Sequence, residues 1–425
     1  MLTEELYKIY LQHPSVQTDT RKLKPGDLFF ALKGPNFNGN RFVKQALESG
    51  ASYAIIDEKQ YEIPDKTILV DDVLTSLQQL AIHHRRQFKI PFLAITGSNG
   101  KTTTKELIHA VLSSTYKTYT TEGNLNNHIG IPITILKIRD DAEMAVIEMG
   151  ANHQKEIEGY CKIVLPTHGL ITNIGKAHLE GFGSEERVRK GKGELFDFLR
   201  TINGTAFVMW NYPYLQEMSK GIETVIKYGT HDGDVEDEAE NNGIFLTVKM
   251  KKGELGKIKT QLVGDYNLSN VLAAVAVGNY FNIDEKKIIS AIENYIPSNS
   301  RSQLIEKTSN KIILDAYNAN PSSMKLAIEN FSQIDAGNKV LVLGAMAELG
   351  KDSLQEHELI IELIKKYRWK DVLLVGGDFL KTKHPFHSFE NASQARNWLN
   401  EMKFENTYFL VKGSRSMQME KSIEE

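Results

Sequence analysis

Residues 95–104, ITGSNGKTTT, join an apolar run, PFLAIT, to a run with helical spacing, TTTKELIHAVLSS. This context constrains the fold more than any other segment. A strand that passes through a tight glycine turn into a helix opens a βαβ unit. The sheet around it should therefore be mostly parallel, with helices on both faces. The same turn points to an anion. A helix start leaves several N–H groups without backbone partners and carries the positive end of the helix dipole. Gly97 and Gly100 let the backbone curl close to a phosphate, where a Cβ would clash. Ser98 and Asn99 fill the turn, Lys101 would reach the outer phosphates, and Thr102, followed by Thr103, would place its hydroxyl on Mg²⁺. The spacing is G-x-x-G-K-T. Ile95 stands where the longer Walker pattern has its first glycine.

Alternation of strand and helix patterns extends in both directions. Before the loop, residues 28–32 (LFFAL) and 53–57 (YAIID) read as strands, and residues 74–86 carry Leu74, Leu77, Leu80 and Ala81 on one helical face. After it, MAVIEM (144–149), GLITNI (169–174) and TAFVMW (205–210) are buried-strand candidates. Two strand-like runs between 243 and 262 flank KKGELG and read as an antiparallel hairpin. Residues 268–281 then form a helix. A third block starts near residue 300, with strands at 312–316, 339–344, 371–377 and 407–413 and helices between them. The expected organisation is three domains, at 1–88, 89–299 and 300–425.

Composition narrows the function classes. With 425 residues, 41% hydrophobic and 25% charged, the chain is of globular type. A net charge of −3 without a dominating basic block argues against nucleic-acid binding as the main role. No run of about 18 apolar residues suggests membrane insertion, and the N-terminus lacks a signal-peptide pattern, so a cytoplasmic location is expected. The single Cys161 excludes an internal disulfide and a Cys-rich zinc site.

Further segments occur in an order that is itself informative: TDTRKLKPGDLFFALKG (18–34), GNLNNHIGIP (123–132), VIEMGA (146–151), TNIGKAHLEGFGS (172–184), DAYNANPSSM (315–324) and VKGSRSMQME (411–420). Together with the loop, they make the chain resemble the Mur ligases. It is most similar to those that add D-alanyl-D-alanine to UDP-N-acetylmuramoyl-tripeptide. One departure is Ala345, in LGAMAELG, where the family often has an acidic residue. The DNPR-type motif of the enzymes that add the third peptide residue is absent, and DAYNANP occupies that region. The resemblance implies an α/β fold of three domains: a small UDP-binding unit, a central P-loop ATPase-type parallel sheet with an antiparallel extension, and a Rossmann-like unit. It implies an enzyme that uses ATP and Mg²⁺ to activate a peptide carboxylate as an acyl phosphate, which the amine of D-Ala-D-Ala then attacks; a monomer is expected separately, because each block has its own core and no dimerising stripe stands out. Whether the third peptide residue is L-lysine or diaminopimelate stays open.

The resemblance also assigns roles. Glu148, at the end of a strand, and His178, just after another, would bind a second Mg²⁺ together with a carbamate formed from CO₂ on Lys192. Arg301, Asp315 and Asn270 would contact the γ-phosphate, the ribose region and adenine. Asp19, Thr20 and Arg21 would face UDP, and Asn124, Asn126 and Asn127 the muramoyl-peptide. Asn318, Asn320, Ser414 and Arg415 would help form the D-Ala-D-Ala pocket. Lys192 also has an independent signal. A helix capped by Ser184 and running to about residue 200 has Val188, Leu195, Phe196 and Leu199 as its apolar stripe, and Lys192 falls on that stripe. An inward lysine is costly unless something compensates. Carbamylation would turn it into a carboxylate-like ligand, whereas snorkelling would carry the charge out to water. Lys190 lies off the stripe.

Two other readings carry their own discriminators. A folylpolyglutamate synthase would lack the N-terminal TDTRKLKPGDLFFALKG unit. A non-catalytic nucleotide-binding scaffold would have no need of Lys192 beside Glu148 and His178.

Overall fold

The computed structural model describes residues 3–240, 243–251, 256–298 and 300–424. The strand Phe92–Thr96 is buried along its whole length and lies third from one edge of a nine-stranded sheet. From that edge the order is Thr118–Thr120, Met144–Glu148, Phe92–Thr96, His168–Ile171, Thr205–Met209, Thr224–Gly229, Val235–Glu240, Phe245–Met250 and Lys257–Val263. The first seven run parallel and the last two joins are antiparallel. Strands covered on both faces need continuous apolar runs, and FLAIT, MAVIE and TAFVM supply them without a polar alternation. The helices Lys101–Ser113 and Leu268–Tyr280 pack against each other beside this sheet.

A four-stranded parallel sheet precedes it, in the order Val16–Gln17, Leu28–Phe30, Tyr53–Ile56 and Thr67–Leu69. The helix Val73–Arg85 follows, capped by the Asp72 carboxylate, which accepts from Thr75 N. Its last residue fixes it to the central unit. The buried Arg85 guanidinium donates to the carbonyls of Val164, Phe88 and Leu165 and stacks on Phe92. A buried cation is tolerated here because carbonyl dipoles replace its water.

The third sheet has six strands: Gln303–Lys307, Asn310–Asp315, Tyr408–Lys412, Lys339–Gly344, Asp371–Val375 and His387–Phe389. Only the first pair is antiparallel.

The expectation of an α/β fold with mostly parallel sheets agrees with this structure, and the differences lie at the sheet edges. Gln303–Lys307, His387–Phe389 and Thr118–Thr120 are edge strands with partly exposed side chains, so they lack the solid apolar run that marked the others. Thr224–Gly229 and Val235–Glu240 were hidden by Lys227, Glu236, Glu238 and Glu240 at half-buried positions and by the buried Asp237. The hairpin strands pair as expected, while its turn at 252–255 lies outside the described residues. Among the described residues, no helix is long and apolar enough to cross a membrane.

Candidate active site

The glycine turn leaves its strand between two neighbours whose C-terminal ends reach the same level. Ile95 pairs with Glu148 on one side, and Thr96 with Ile171 on the other. Ligands of an open α/β sheet bind outside such strand ends. The strand ends deliver Glu148, Thr172 and Asn173 to the loop, and their hydrogen bonds set its shape. Asn99 N donates to Asn173 Oδ1 (3.0 Å), Thr172 Oγ1 donates to Asn99 O (2.6 Å), and Gly175 N donates to Ser98 Oγ (3.0 Å). Gly97 (φ +141°) and Gly100 (φ +77°) occupy conformations that L side chains rarely adopt. A Cβ on Gly97 would overlap the Thr172 hydroxyl, and one on Gly100 would sit 2.7 Å from Asn270 Oδ1.

Lys101 opens the helix Lys101–Ser113 and folds back to donate to the carbonyls of Gly97 (2.8 Å) and Ser98 (3.3 Å). Burial pulls its pKa below the usual lysine value, while Glu148 opposes that shift and Arg301 adds to it. Thr102 Oγ1 donates to Glu148 Oε2 (2.8 Å), and Asn126 Nδ2 donates to the other oxygen, Oε1 (2.8 Å). Glu148 N donates to Thr121 Oγ1, and the buried Lys105 Nζ donates to Thr121 O. The carboxylate is thus held by two side chains, and the backbone that carries it is anchored on Thr121. Thr103 continues the helix, and Thr104 Oγ1 donates to Asn270 Oδ1 (2.9 Å), which puts Asn270 beneath the loop.

Lys192 lies in the helix Glu185–Thr201, whose N-cap Ser184 accepts from Arg187 N. Its side chain is fully buried with Val188, Leu195, Phe196 and Leu199. Nζ donates to Ala151 O (2.8 Å) and sits 5.3 Å from the centre of the Phe182 ring. Burial, and next the positive charge of Lys101, hold its pKa well below the lysine range; Glu156, Glu194 and Glu148 act in the opposite sense. Lys190 is exposed and paired with Glu186.

Several contacts bring the third sheet's loops to this place. Asn320 Nδ2 donates to Asn99 Oδ1 (2.7 Å) while the Asn320 side chain also caps the helix Pro321–Gln333. Lys176 N donates to Ser322 Oγ, and Lys176 Nζ pairs with Glu356 (2.6 Å). His178 Nδ1 lies 2.5 Å from Glu348 Oε2, and Glu180 N donates to Glu348 O. Arg301 lies flat on the Tyr317 ring (3.6 Å), and its Nε is buried without a protein partner. Asp315 accepts from Ser302 N and pairs with the buried Lys412 (2.5 Å), which also donates to Asn318 O.

The remaining candidates are more peripheral. Asp19 accepts from Arg21, whose hydrogen bond holds the Asp19 carboxyl down at about 2. Thr20 opens the short helical turn between them, and Arg21 is largely exposed. Asn127 Oδ1 accepts from Ile129 N and Gly130 N, and Asn124 is exposed. Ser414 is buried and donates to Ala345 O, while Arg415 pairs with Glu420.

Sequence reasoning gave no role to Glu348, Asn173, Thr172 or Thr121. Asn173 and Thr172 follow the strand next to the loop strand, so the strand-end rule marks them. Thr121 follows an edge strand, and Glu348 had no such signal.

Among the described residues, no three or more His, Cys, Asp or Glu side chains converge as a metal cluster. The oxygen pair of Thr102 and Glu148 is nevertheless the donor set Mg²⁺ uses, because that ion keeps waters and phosphate oxygens and takes few protein ligands.

The chain is similar to known proteins over most of its length. The Mur ligase family catalytic domain model matches residues 14–85, the Mur ligase middle domain 95–278, and the Mur ligase glutamate ligase domain 300–415. The UDP-N-acetylmuramoyl-tripeptide–D-alanyl-D-alanine ligase of Bacillus subtilis (strain 168) is 39% identical over 79% of this chain and 74% of its own. The Escherichia coli (strain K12) enzyme of the same name is 34% identical over 100% and 96%. A crystal structure of MurF ligase from Thermotoga maritima in complex with ADP superposes with a TM-score of 0.86 at 26% identity, covering 97% of both chains. Matched over nearly its whole length in sequence and in structure, the chain belongs to the Mur ligase family.

Proposed function

We propose that this chain joins D-alanyl-D-alanine to UDP-N-acetylmuramoyl-tripeptide at the expense of ATP, a cytoplasmic step of peptidoglycan precursor synthesis. The observation that carries this reading is a phosphate loop whose Thr102 hydroxyl touches Glu148, with the buried Lys192 close by, in a chain that matches the two ligases named above over most of its length.

In this reading the γ-phosphoryl group passes from ATP to the tripeptide carboxylate, and ADP leaves. The amine of D-Ala-D-Ala attacks the acyl carbon, and phosphate leaves as the amide forms. Such transfer depends on positioning and charge neutralisation. Loop N–H groups and Lys101 hold the outer phosphates. Lys101 releases its contacts with the Gly97 and Ser98 carbonyls to do so. Thr102 and Glu148 would hold Mg²⁺, which would shield the negative charge gathering on the phosphates. His178 and a carbamate on Lys192 would hold a second ion. Burial favours the neutral Lys192 amine, the form that adds to CO₂. Arg301, with Nε unpartnered, is the cation available to the γ-phosphate, and Asp315 and Asn270 flank the nucleotide. Asp19, Thr20 and Arg21 face the uridine diphosphate, Asn124, Asn126 and Asn127 the muramoyl-peptide. Asn318, Asn320, Ser414 and Arg415 lie toward the acceptor. The working units are 1–88, 89–299 and 300–425, in a monomer.

Oxygen-18 in the terminal carboxylate of the tripeptide tests the acyl-phosphate route. One labelled oxygen should appear in inorganic phosphate for each pentapeptide formed. Unlabelled phosphate alongside the pentapeptide product would contradict it.

A further inference from the structure

The side chain of Asn320 is shared between two units of the fold. It ends the loop after the strand Asn310–Asp315, and that loop is fixed before it reaches the site. The buried Lys412 pairs with Asp315 and donates to Asn318 O, Ala319 N donates to Asn318 Oδ1, and Ala319 and Pro321 are buried. Asn320 is itself buried. Its Oδ1 accepts from Ser323 N (2.9 Å), and Asn320 N donates to Ser323 Oγ (3.1 Å), so the helix Pro321–Gln333 starts in a closed capping box. That box decides which way the amide points. With Oδ1 on Ser323 N, the Nδ2 donor is turned to the phosphate loop, where it meets Asn99 Oδ1 (2.7 Å). Asn99 lies between Gly97 and Gly100, both at positive φ. Glycine leaves a backbone wide freedom, and N–H groups that must converge on a phosphate bind it more tightly when they are already fixed. Asn99 is tethered at N, O and Oδ1. Asn173 and Thr172 of the central unit hold the backbone atoms, and among the described residues Asn320 alone holds the side chain. Ser322, in the first turn of the same helix, supports the neighbouring stretch. Its Oγ accepts from Lys176 N (3.2 Å), next to Gly175, whose N–H and carbonyl both bond to Ser98 Oγ.

We propose that Asn320 is a positioning residue for the phosphate loop. Acting from the third sheet, it locks the Asn99 side chain, so the loop is fully pre-formed for the phosphates only while the C-terminal unit is docked. The sequence put Asn320 on the acceptor side; its bond to Asn99 gives it a second role, on the nucleotide side. This rests on the reading of residues 95–104 as a phosphate loop given above.

The test uses the full chain with Mg²⁺ and a non-hydrolysable ATP analogue, with binding read by calorimetry. Asn320→Ser keeps a good helix cap but is too short to reach Asn99. It should weaken analogue binding by about 3–10-fold, the worth of one neutral hydrogen bond, and raise the KM for ATP by a similar factor. Its urea midpoint should stay close to that of the native chain, whereas Asn320→Ala, which also removes the cap, should lower the midpoint. Asn99→Ala should lose at least the same factor in affinity, and adding Asn320→Ser to it should cost nothing further, because the shared bond is already gone. Native analogue affinity in Asn320→Ser overturns the inference, and so do losses that multiply in the double variant. If Asn320→Ser raises the KM for D-Ala-D-Ala at native analogue affinity, Asn320 is an acceptor contact only. If Asn320→Ser lowers the urea midpoint as far as Asn320→Ala does, its role is that of a cap and the positioning role is overturned. If Lys101→Ala also binds the analogue as tightly as the native chain, the phosphate-loop reading itself fails.

Discussion

Among the described residues, Lys192 has one hydrogen-bond partner, Ala151 O, and an apolar stripe around it. A buried amine in that position lowers stability, and its persistence points to function. Its pKa is depressed by burial, so between the folded value and about 10.4 the unfolded chain binds more protons. Stability therefore rises with pH through that window and is reduced below it. Lys192→Met should abolish ligase turnover, by at least about 100-fold, if Lys192 supplies a charged ligand. It should also raise the unfolding free energy at pH 7 by about 1–3 kcal/mol in urea titrations. Loss of stability without loss of turnover would make Lys192 structural. The glycines give the opposite pattern. Gly97→Ala places a methyl group on the Thr172 hydroxyl at φ +141°. Nucleotide affinity, read by calorimetry with ADP, should fall by at least about tenfold while the N-terminal unit stays folded.

The helix Glu185–Thr201 carries Lys192 because its ends and its face agree. Ser184 caps it, acidic residues occupy its first turn and Arg200 its last. Ser184→Ala should cost about 1 kcal/mol in chemical denaturation with little change in turnover. That helix was legible from sequence, since cap, stripe and inward lysine are all local signals. So were the long buried strands, whose apolar runs need no partner to be recognised. The short edge strands were not, because their pairing depends on neighbours far along the chain. Nor was the link between Asn320 and Asn99, which are 221 positions apart. Periodicity gives the face of an element, not which loop of another sheet will meet it. The strand His168–Ile171 shows a second effect of packing. His168 stacks on Phe207 and meets Tyr280 edge-on and Phe281 at a tilt, and burial pushes its pKa down to about 4. The unfolded histidine takes up a proton near 6.5. Stability should thus be lost as pH falls from about 6.5 to 4, with no further loss from this group below that, by roughly 3 kcal/mol in all. Urea titrations at pH 7 and 4.5 should show this in the native chain and a flatter response in His168→Leu.

At the scale of the molecule, the site is assembled from two sheets. The central sheet supplies the loop, Glu148 and Lys192. The third sheet contributes Asn320 on Asn99, Glu348 on His178 and Glu356 on Lys176. Asn320 was read from sequence as an acceptor-side residue, and its bond to the phosphate loop links that side to the nucleotide. The Lys176–Glu356 pair is partly exposed, so its own contribution is small. A double-mutant cycle of Lys176→Ala and Glu356→Ala should give a coupling below about 1 kcal/mol in stability. If the pair serves docking, the same variants should raise the KM for ATP. An unchanged KM would mean that the contact is incidental. The most direct check of the whole account is phosphate release from ATP by the purified chain, omitting UDP-N-acetylmuramoyl-tripeptide or D-alanyl-D-alanine in turn. The account predicts release only when both are present, matched by a product of pentapeptide mass. Release that is indifferent to D-alanyl-D-alanine, or none with any combination despite ATP binding, would contradict it.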